Sequence, residues 1–386
     1  MATLLVIVPD ALSAIVKKGE FTERYYNPGN VFDEVHILMT NSDRVDSRDM
    51  QSTVGDAKLH IHNLPDWGYE RTLGYHPWLL RFWAIRAVRL AKEIRPSLVR
   101  CHSAWLNGYL ANRIKRRLGV PYVISMHINP DEDLRGRATN EFEKKYWSAM
   151  ESVEKMSLRD AAIVLPVYRP IIPYLEKMGV KNYKVAYNVL NDKFLRRKEQ
   201  YDLHSPMRLI SVGRHFKEKN PENIIKAVAR LPNAHLTLVG DGPYQSYLHD
   251  VVRECHLEGQ VTFQPAMRND ELCKRLSEVD IFVVHTEYWE LSKSVLEALL
   301  TGLPVVINRR LGEPVPELQG DYVLLVENSV NGYFNGLTRL IQDHEFRTRL
   351  GKRAYRHAQD NWAPCKTEAK YVEIYKSIMG RVPKLA

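Results

Sequence analysis

The chain has 386 residues, of which 45% are hydrophobic and 26% charged, with a formal net charge of +9. That composition suits about two or three globular domains of roughly 100 to 200 residues and excludes a disordered or low-complexity protein. The positive balance favours anions as partners: nucleotide phosphates, an anionic membrane surface or nucleic acid. Nucleic acid is set aside, because the basic residues are scattered and no helix-turn-helix, zinc-finger or RNP-like signal occurs. No apolar run approaches 18 residues, and the chain opens on a strand, so neither a transmembrane helix nor a signal peptide is expected. The four cysteines, Cys101, Cys255, Cys273 and Cys365, lack metal-ligand spacing; they predict buried thiols in a reducing, cytoplasmic compartment.

In chain order, the apolar run Thr3–Pro9 predicts a first strand, followed by a loop holding Lys17, Lys18, Gly19 and Glu20. Strands follow at Val35–Leu38 and Lys58–Leu64. His76–Arg95 predicts a helix, with Trp78, Leu79, Phe82, Trp83, Ile85 and Val88 mostly at helical spacing and Arg81, Arg86, Arg89 and Lys92 elsewhere. Such a stripe fits either the core face of a sheet-covering helix or a basic amphipathic helix on a membrane surface. Leu98–His102 predicts a fourth strand, Leu106–Leu118 a helix closed by Gly119, and Pro121–Met126 a fifth strand. His127 follows that strand, at the end where ligands of α/β sheets collect. Glu141–Arg159 predicts a charged helix, Ala161–Leu165 a strand and Ile171–Met178 a short helix. Residues 196–206 are polar and aperiodic and read as an interdomain linker.

The pattern then restarts. Met207–Gly213 predicts a strand, Arg214–Pro221 a turn, Glu222–Leu231 a helix and Ala234–Val239 a strand. The turn Gly240-Asp-Gly242-Pro243 comes next, then the helix Tyr247–Glu254 and the strand Val261–Pro265, with an exit loop at Ala266–Asp270 that contains Met267. Val279–Val284 predicts a buried strand, Ser294–Leu300 a helix stopped by Gly302, and Leu303–Ile307 the next strand. This unit holds Glu290 in its loop and Glu297 in the first turns of its helix. A carboxylate accepts from two vicinal hydroxyls while helix amides take phosphate oxygens, which points to a nucleotide sugar as ligand. Val323–Val326 predicts the last strand, and Trp362–Met379 a terminal helix.

Trp-Glu290, then Ser292-Lys293-Ser294-Val295-Leu-Glu297-Ala-Leu, then Gly-Leu-Pro-Val-Val306, resembles the donor motif of retaining GT-B glycosyltransferases of the group 1, family 4 type. Six residues separate Glu290 from Glu297 where the family has seven, since a glycine after the first glutamate is absent. The resemblance extends over nearly the whole chain and is most specific from Gly213 to Val306. It implies an α/β GT-B fold, with two Rossmann-like, doubly wound domains facing across a cleft. Residues 1–195 would form an acceptor domain, 196–206 the linker and 207–361 the donor domain, while 362–386 would cross back to the first domain.

The resemblance further implies a catalytic set of Arg214, Lys219, His127 and Glu290. Arg214 and Lys219, five residues apart, would flank the departing diphosphate. The donor would also meet Glu297, Gly213, Gly240, Gly242, Ser292, Lys293, Ser294, Val295 and Met267, and Gly19 stands for the family's glycine-rich loop. Asp131-Glu-Asp133 matches the metal-holding D-x-D pattern of another glycosyltransferase class. It is read here as surface, with a chance of acceptor contact, and neither metal nor cofactor is expected. The reaction implied is metal-independent, retaining transfer from a UDP- or GDP-sugar to a glycan, lipid-linked or small-molecule acceptor, in the cytoplasm or at the inner face of its membrane, as in polysaccharide biosynthesis. A nucleotide-sugar epimerase, a glycan phosphorylase or a non-catalytic nucleotide-sugar-binding subunit would share the fold.

Overall fold

Short, apolar, β-branched runs such as Thr3–Val8 and Ile281–Val284 are buried along their whole length, as strands covered on both faces of a parallel sheet must be. The computed structural model describes residues 1–20, 22–66, 77–312 and 314–380. They divide into two compact units: residues 1–17, 22–189 and 365–380 form the first, and Lys18–Glu20 with Leu190–Pro364 the second.

The first unit contains β1 (Thr3–Val8), β2 (Glu34–Met39), β3 (Lys58–Asn63), β4 (Leu98–His102), β5 (Tyr122–Met126) and β6 (Ile163–Pro166). They form one sheet in the order β3-β2-β1-β4-β5-β6, every pair parallel. The second contains β7 (Met207–Val212), β8 (Ala234–Val239), β9 (Val261–Gln264), β10 (Ile281–Val284), β11 (Val305–Asn308) and β12 (Leu324–Val326), in the order β12-β11-β10-β7-β8-β9. Both are the doubly wound order, and it reverses between β1 and β4 and again between β7 and β10.

One core cluster of the first unit joins Leu4 and Val6 of β1 and Val35 and Ile37 of β2 to Tyr371, Ile374 and Tyr375 of the terminal helix Pro364–Met379. Arg100 of β4 is buried beside them. Its Nη1 donates to Tyr25 O at 2.9 Å, its Nε to Ser125 Oγ at 3.2 Å, and its guanidinium lies 5.1 Å from each of the Tyr25 and Tyr371 ring centres. Those partners offset the loss of hydration that makes a buried charge costly.

Several expectations are revised. The loop after β1 begins with a helical stretch, Leu12–Lys17, and the exit loop expected at Ala266–Asp270 gives way at Asn269 to a helix, Asn269–Leu276. Its buried positions, Asn269, Leu272, Cys273 and Leu276, keep the i, i+3, i+4, i+7 spacing of a helix, with a polar residue at the first of them. The terminal helix starts at Pro364 rather than Trp362, because a proline lacks the N–H needed to continue His344–Trp362. Residues 381–386, His76 and Glu313 lie outside the described residues. The 196–206 stretch is not a free tether: Lys198 N donates to Thr301 O at 2.8 Å, and Tyr201 OH to Gly302 O at 3.0 Å. Of the four thiols, Cys101 and Cys273 are buried, Cys255 is half-buried and Cys365 is exposed, so burial does not extend to all of them.

Helix Pro77–Ile94 carries two apolar faces where one stripe was expected. Leu80, Trp83, Ala84, Ala87 and Ala91 are buried, whereas Trp78, Phe82 and Ile85 are 55%, 57% and 42% exposed. Arg81, Arg86, Arg89 and Lys92 are exposed as well. Among the described residues, no helix is long and apolar enough to cross a membrane.

The 196–206 strap passes over a helix contact with no spare room. A Cβ at Gly351 would lie 2.2 Å from Tyr201 Cε1 and 2.6 Å from Gly302 O. Gly351→Ala is therefore expected to destabilise the second unit by about 1–3 kcal/mol, the usual range for overpacking. Urea unfolding should show a lower midpoint with an unchanged slope; a midpoint equal to the parent's would mean that the strap yields.

Candidate functional site

The second sheet's order reverses at β7 and β10, and the candidate site is assembled from the segments that leave those two strands. After β7 the chain turns through Gly213–Lys219 into the helix Glu222–Val228. After β8 it turns through Gly240–Pro243, and the two turns touch backbone to backbone. A Cβ at 240 would sit 1.9 Å from Gly213 O, and one at 242 would sit 2.3 Å from His215 O. His215 N donates to Asp241 O, and Tyr244 N to His215 O, each at 3.0 Å. Gly240 and Gly242 are thus explained by close approach of backbone to backbone.

The loop after β10 is pinned in two places. Thr286 N donates to Asn308 Oδ1 at 2.9 Å and Asn308 Nδ2 to Thr286 O at 2.8 Å, while Glu287 N reaches Glu218 O at 2.8 Å. The loop then enters helix Lys293–Thr301, whose N-cap Ser292 accepts from Val295 N and whose C-cap Gly302 is left-handed. The helix presents its N-terminus to a pocket lined by Gly213, Lys219, Glu290, Ser292, Ser294 and Val295. The positive end of a helix and a lysine on one wall suit an anion. Lys219 Nζ is 2.5 Å from Glu290 Oε1 and 5.1 Å from the Tyr288 ring centre. An anion entering the pocket therefore competes with Glu290 for the ammonium.

Arg214, Met267, Glu297, Lys293, Gly240, Gly242 and Gly19 are not among the residues that line this pocket. Arg214 is exposed and lies over the Phe216 ring at 4.5 Å. Met267 is half-buried in the segment before helix Asn269–Leu276. Glu297 is almost wholly buried; its Oε1 accepts from Asn269 Nδ2 at 2.8 Å and stands 3.9 Å from Lys293 Nζ. Burial pushes its carboxyl above the usual range, opposed chiefly by the Lys293 charge and the Asn269 hydrogen bond. Gly19, with a φ of +61°, belongs to this same neighbourhood: Lys18 O accepts from Asn269 N at 2.9 Å, and a Cβ at 19 would lie 2.9 Å from Asp270 Oδ1.

In the first unit, His127 directly follows β5. Its ring is 4.8 Å from that of His102, which ends β4, and its Nε2 is buried without a partner among the described residues. Burial, then the Arg100 charge, lowers its pKa to about 4, so it is neutral at physiological pH. Asp131 and Asp133 do not form an open metal site. Asp131 pairs with Arg135 and Lys177, and Asp133 pairs with Arg137 while accepting from Asn129 N. Arg310 lies 5.2 Å from the Trp289 ring centre, and Arg309 is exposed. Sequence reasoning missed Asn269, Asn308, His215 and Arg100, whose roles depend on partners far along the chain; only the strand-end position of Asn308 offered a signal.

The raised pKa of Glu297 makes a directional prediction. A carboxyl whose folded pKa exceeds its unfolded value contributes stability below the unfolded value and loses it as pH rises through the folded one. Glu297→Gln cannot ionise, so its melting temperature relative to the parent's should rise from about pH 4 to about pH 8. A gap that is flat or shrinking over that range in differential scanning calorimetry would contradict the burial assigned here.

Residues 193–357 match the model of glycosyl transferases group 1, and residues 32–188 match that of a glycosyl transferase 4-like domain. Among curated relatives, the lipopolysaccharide core biosynthesis glycosyltransferase LpsE of Rhizobium meliloti is 32% identical over 38% of this chain and 43% of its own length. Sulfoquinovosyl transferase SQD2 of Arabidopsis thaliana is 26% identical over 73% of this chain and 58% of its own. The matches thus span less than two thirds of either relative. The solved sucrose-phosphate synthase of Thermosynechococcus elongatus superposes with a TM-score of 0.74 at 16% identity, covering 99% of this chain and 100% of that one. Anabaena HepE in complex with UDP-glucose gives 0.71 at 16% identity, over 98% and 100%. With a family model on each half and the fold shared along its length, the chain belongs to the GT-B group 1 glycosyltransferase family.

Proposed function

We propose that the chain is a retaining, metal-independent glycosyltransferase that moves a sugar from a nucleotide-sugar donor to a hydroxyl of a glycan, lipid-linked or small-molecule acceptor. The observation that carries this reading is the pocket at the β7/β10 reversal, where the N-terminus of helix Lys293–Thr301, Gly213 and Lys219 converge with Glu290. A diphosphate suits the amides and the ammonium, and a hydroxylated sugar suits the carboxylate. HepE, of the same fold, was captured with UDP and with UDP-glucose, which favours a uridine donor over a guanosine one.

In the proposed reaction the bond between C1 of the sugar and the β-phosphate oxygen breaks. The acceptor oxygen attacks on the face the diphosphate is leaving, and its proton passes to a diphosphate oxygen. Lys219 and Arg214 stabilise the charge that grows on the leaving group, which for Arg214 means swinging off Phe216. Glu290 orients Lys219 and the sugar, and His127 serves the acceptor side. Glu297, held by Asn269 and Lys293, takes the ribose hydroxyls.

These roles have different kinetic signatures. The ribose is unchanged during reaction, so Glu297→Gln should mainly raise the donor KM. Lys219→Ala and Arg214→Ala should lower kcat, on the order of 10²–10³-fold for a lost preorganised donor. The comparison requires saturating acceptor and chemistry slower than product release. If the cation variants moved only KM while Glu297→Gln abolished kcat, the glutamate would belong at the reacting sugar.

The exposed face of helix Pro77–Ile94 supports peripheral contact with an anionic membrane. Trp78, Phe82 and Ile85 offer apolar area, and Arg81, Arg86 and Arg89 supply charge complementary to acidic headgroups. The protein should co-sediment with anionic liposomes, and charge reversal at those three arginines should release it. Sedimentation indifferent to the reversal would remove this helix as the anchor.

A further inference from the structure

The first unit holds a group of side chains that the transferase reading does not use. Glu34 and His36 project from one face of β2, and His60 and His62 from the same face of the edge strand β3, where register sets His36 directly opposite His60. His60 Nε2 lies 2.8 Å from Glu34 Oε1, and His36 Nε2 lies 3.6 Å from the same oxygen. One donor atom from each of Glu34, His36 and His60 falls within 4.8 Å of the other two; among the described residues this is the group of His, Cys, Asp and Glu that meets that condition.

We propose that Glu34, His36 and His60 bind a borderline divalent transition-metal ion of the zinc type, through Glu34 Oε1 and the Nε2 atoms of the two histidines. Two imidazoles and a carboxylate are a donor set for zinc, cobalt or nickel rather than for magnesium or calcium, which take oxygen ligands. Metal–ligand bonds of about 2.0–2.2 Å put tetrahedral neighbours roughly 3.3 Å apart, between the two separations seen here. The ion adjusts the site in one respect: the His36 and His60 rings, now stacked at 4.5 Å with an interplanar angle of 12°, turn so that both lone pairs meet.

A second contact supports the assignment. His36 Nδ1 is 2.9 Å from His62 Nε2. With the proton on His36 Nδ1, that bond leaves the His36 Nε2 lone pair facing Glu34 and His60, which is how an outer partner fixes a ligating histidine's tautomer. The His60 side chain is 32% exposed and that of Glu34 21%, so an ion has a route in from solvent. Because β3 ends the sheet among the described residues, an ion shared with β2 would fasten the sheet's outer strand.

The test uses the full, untagged chain stripped with a chelator. Cobalt titration should give the visible absorption of a low-symmetry site, saturating at about one equivalent, and zinc should displace it. Zinc should also slow hydrogen exchange at the amides of β3 in the unmodified protein, a readout that needs no variant. Glu34→Gln and His60→Gln, which keep side-chain hydrogen-bonding capacity, should lose saturable binding. His62→Gln should weaken binding about 10–100-fold, as outer-partner losses do. His235→Gln, altering a half-buried histidine on β8 outside the cluster, should bind as the parent does. The proposal is overturned if no saturable uptake occurs, if uptake survives Glu34→Gln and His60→Gln, or if β3 exchange ignores the metal.

Discussion

At residue 240 the second unit leaves no space for a β-carbon, because the carbonyl oxygen of Gly213 occupies it. This contact locks the turn after β8 against the turn after β7. The direction in which the 213–219 segment leaves the sheet is thereby fixed, and Lys219 is delivered to Glu290. The Glu218–Glu287 backbone bond then ties that turn to the loop after β10, and the Asn308–Thr286 pair holds that loop from below. The pocket is therefore bounded by two backbone contacts and by the buried side-chain amide of Asn308, a fixed frame of the kind a preorganised anion site requires.

Much of this architecture was legible because parallel strands buried on both faces announce themselves as uninterrupted apolar runs, and because caps such as Gly119 and Gly302 stop helices where they stand. Lys219, Glu290, Ser292 and Ser294 were singled out by the resemblance, and all four line one pocket. What escaped was long-range. Asn269 is an ordinary polar residue until the fold brings it to Glu297, and Arg100 reads as a strand defect until Tyr25 and Tyr371 flank it. Helix Pro77–Ile94 shows the complementary failure: spacing identifies its apolar residues, and only packing tells which of them face the interior.

The motif's departure from its family is absorbed locally. Only six residues separate Glu290 from Glu297, yet Glu290 still lines the pocket, because it sits in irregular backbone ahead of the Ser292 cap. A residue removed there shortens a loop. Removed after Ser292, it would turn every later side chain of the helix by about 100°, the angle between successive helical residues. The two glutamates also stand in different media. Glu290 is partly solvated and ion-paired, whereas Glu297 is dry and held mainly by a neutral amide, with the Lys293 ammonium further off.

The terminal helix places residues from the end of the chain in the core of the unit that holds its beginning. During synthesis, residues 22–189 emerge long before Tyr371, Ile374 and Tyr375, so the nascent first unit carries an uncovered apolar surface while some 175 residues of the second are still being made. The second unit, nearly continuous in sequence, has no such wait and is positioned to fold first. A ribosome-bound chain of this protein would thus reverse the usual N-to-C order of domain maturation, and its demand on chaperones would fall on the half that was made first.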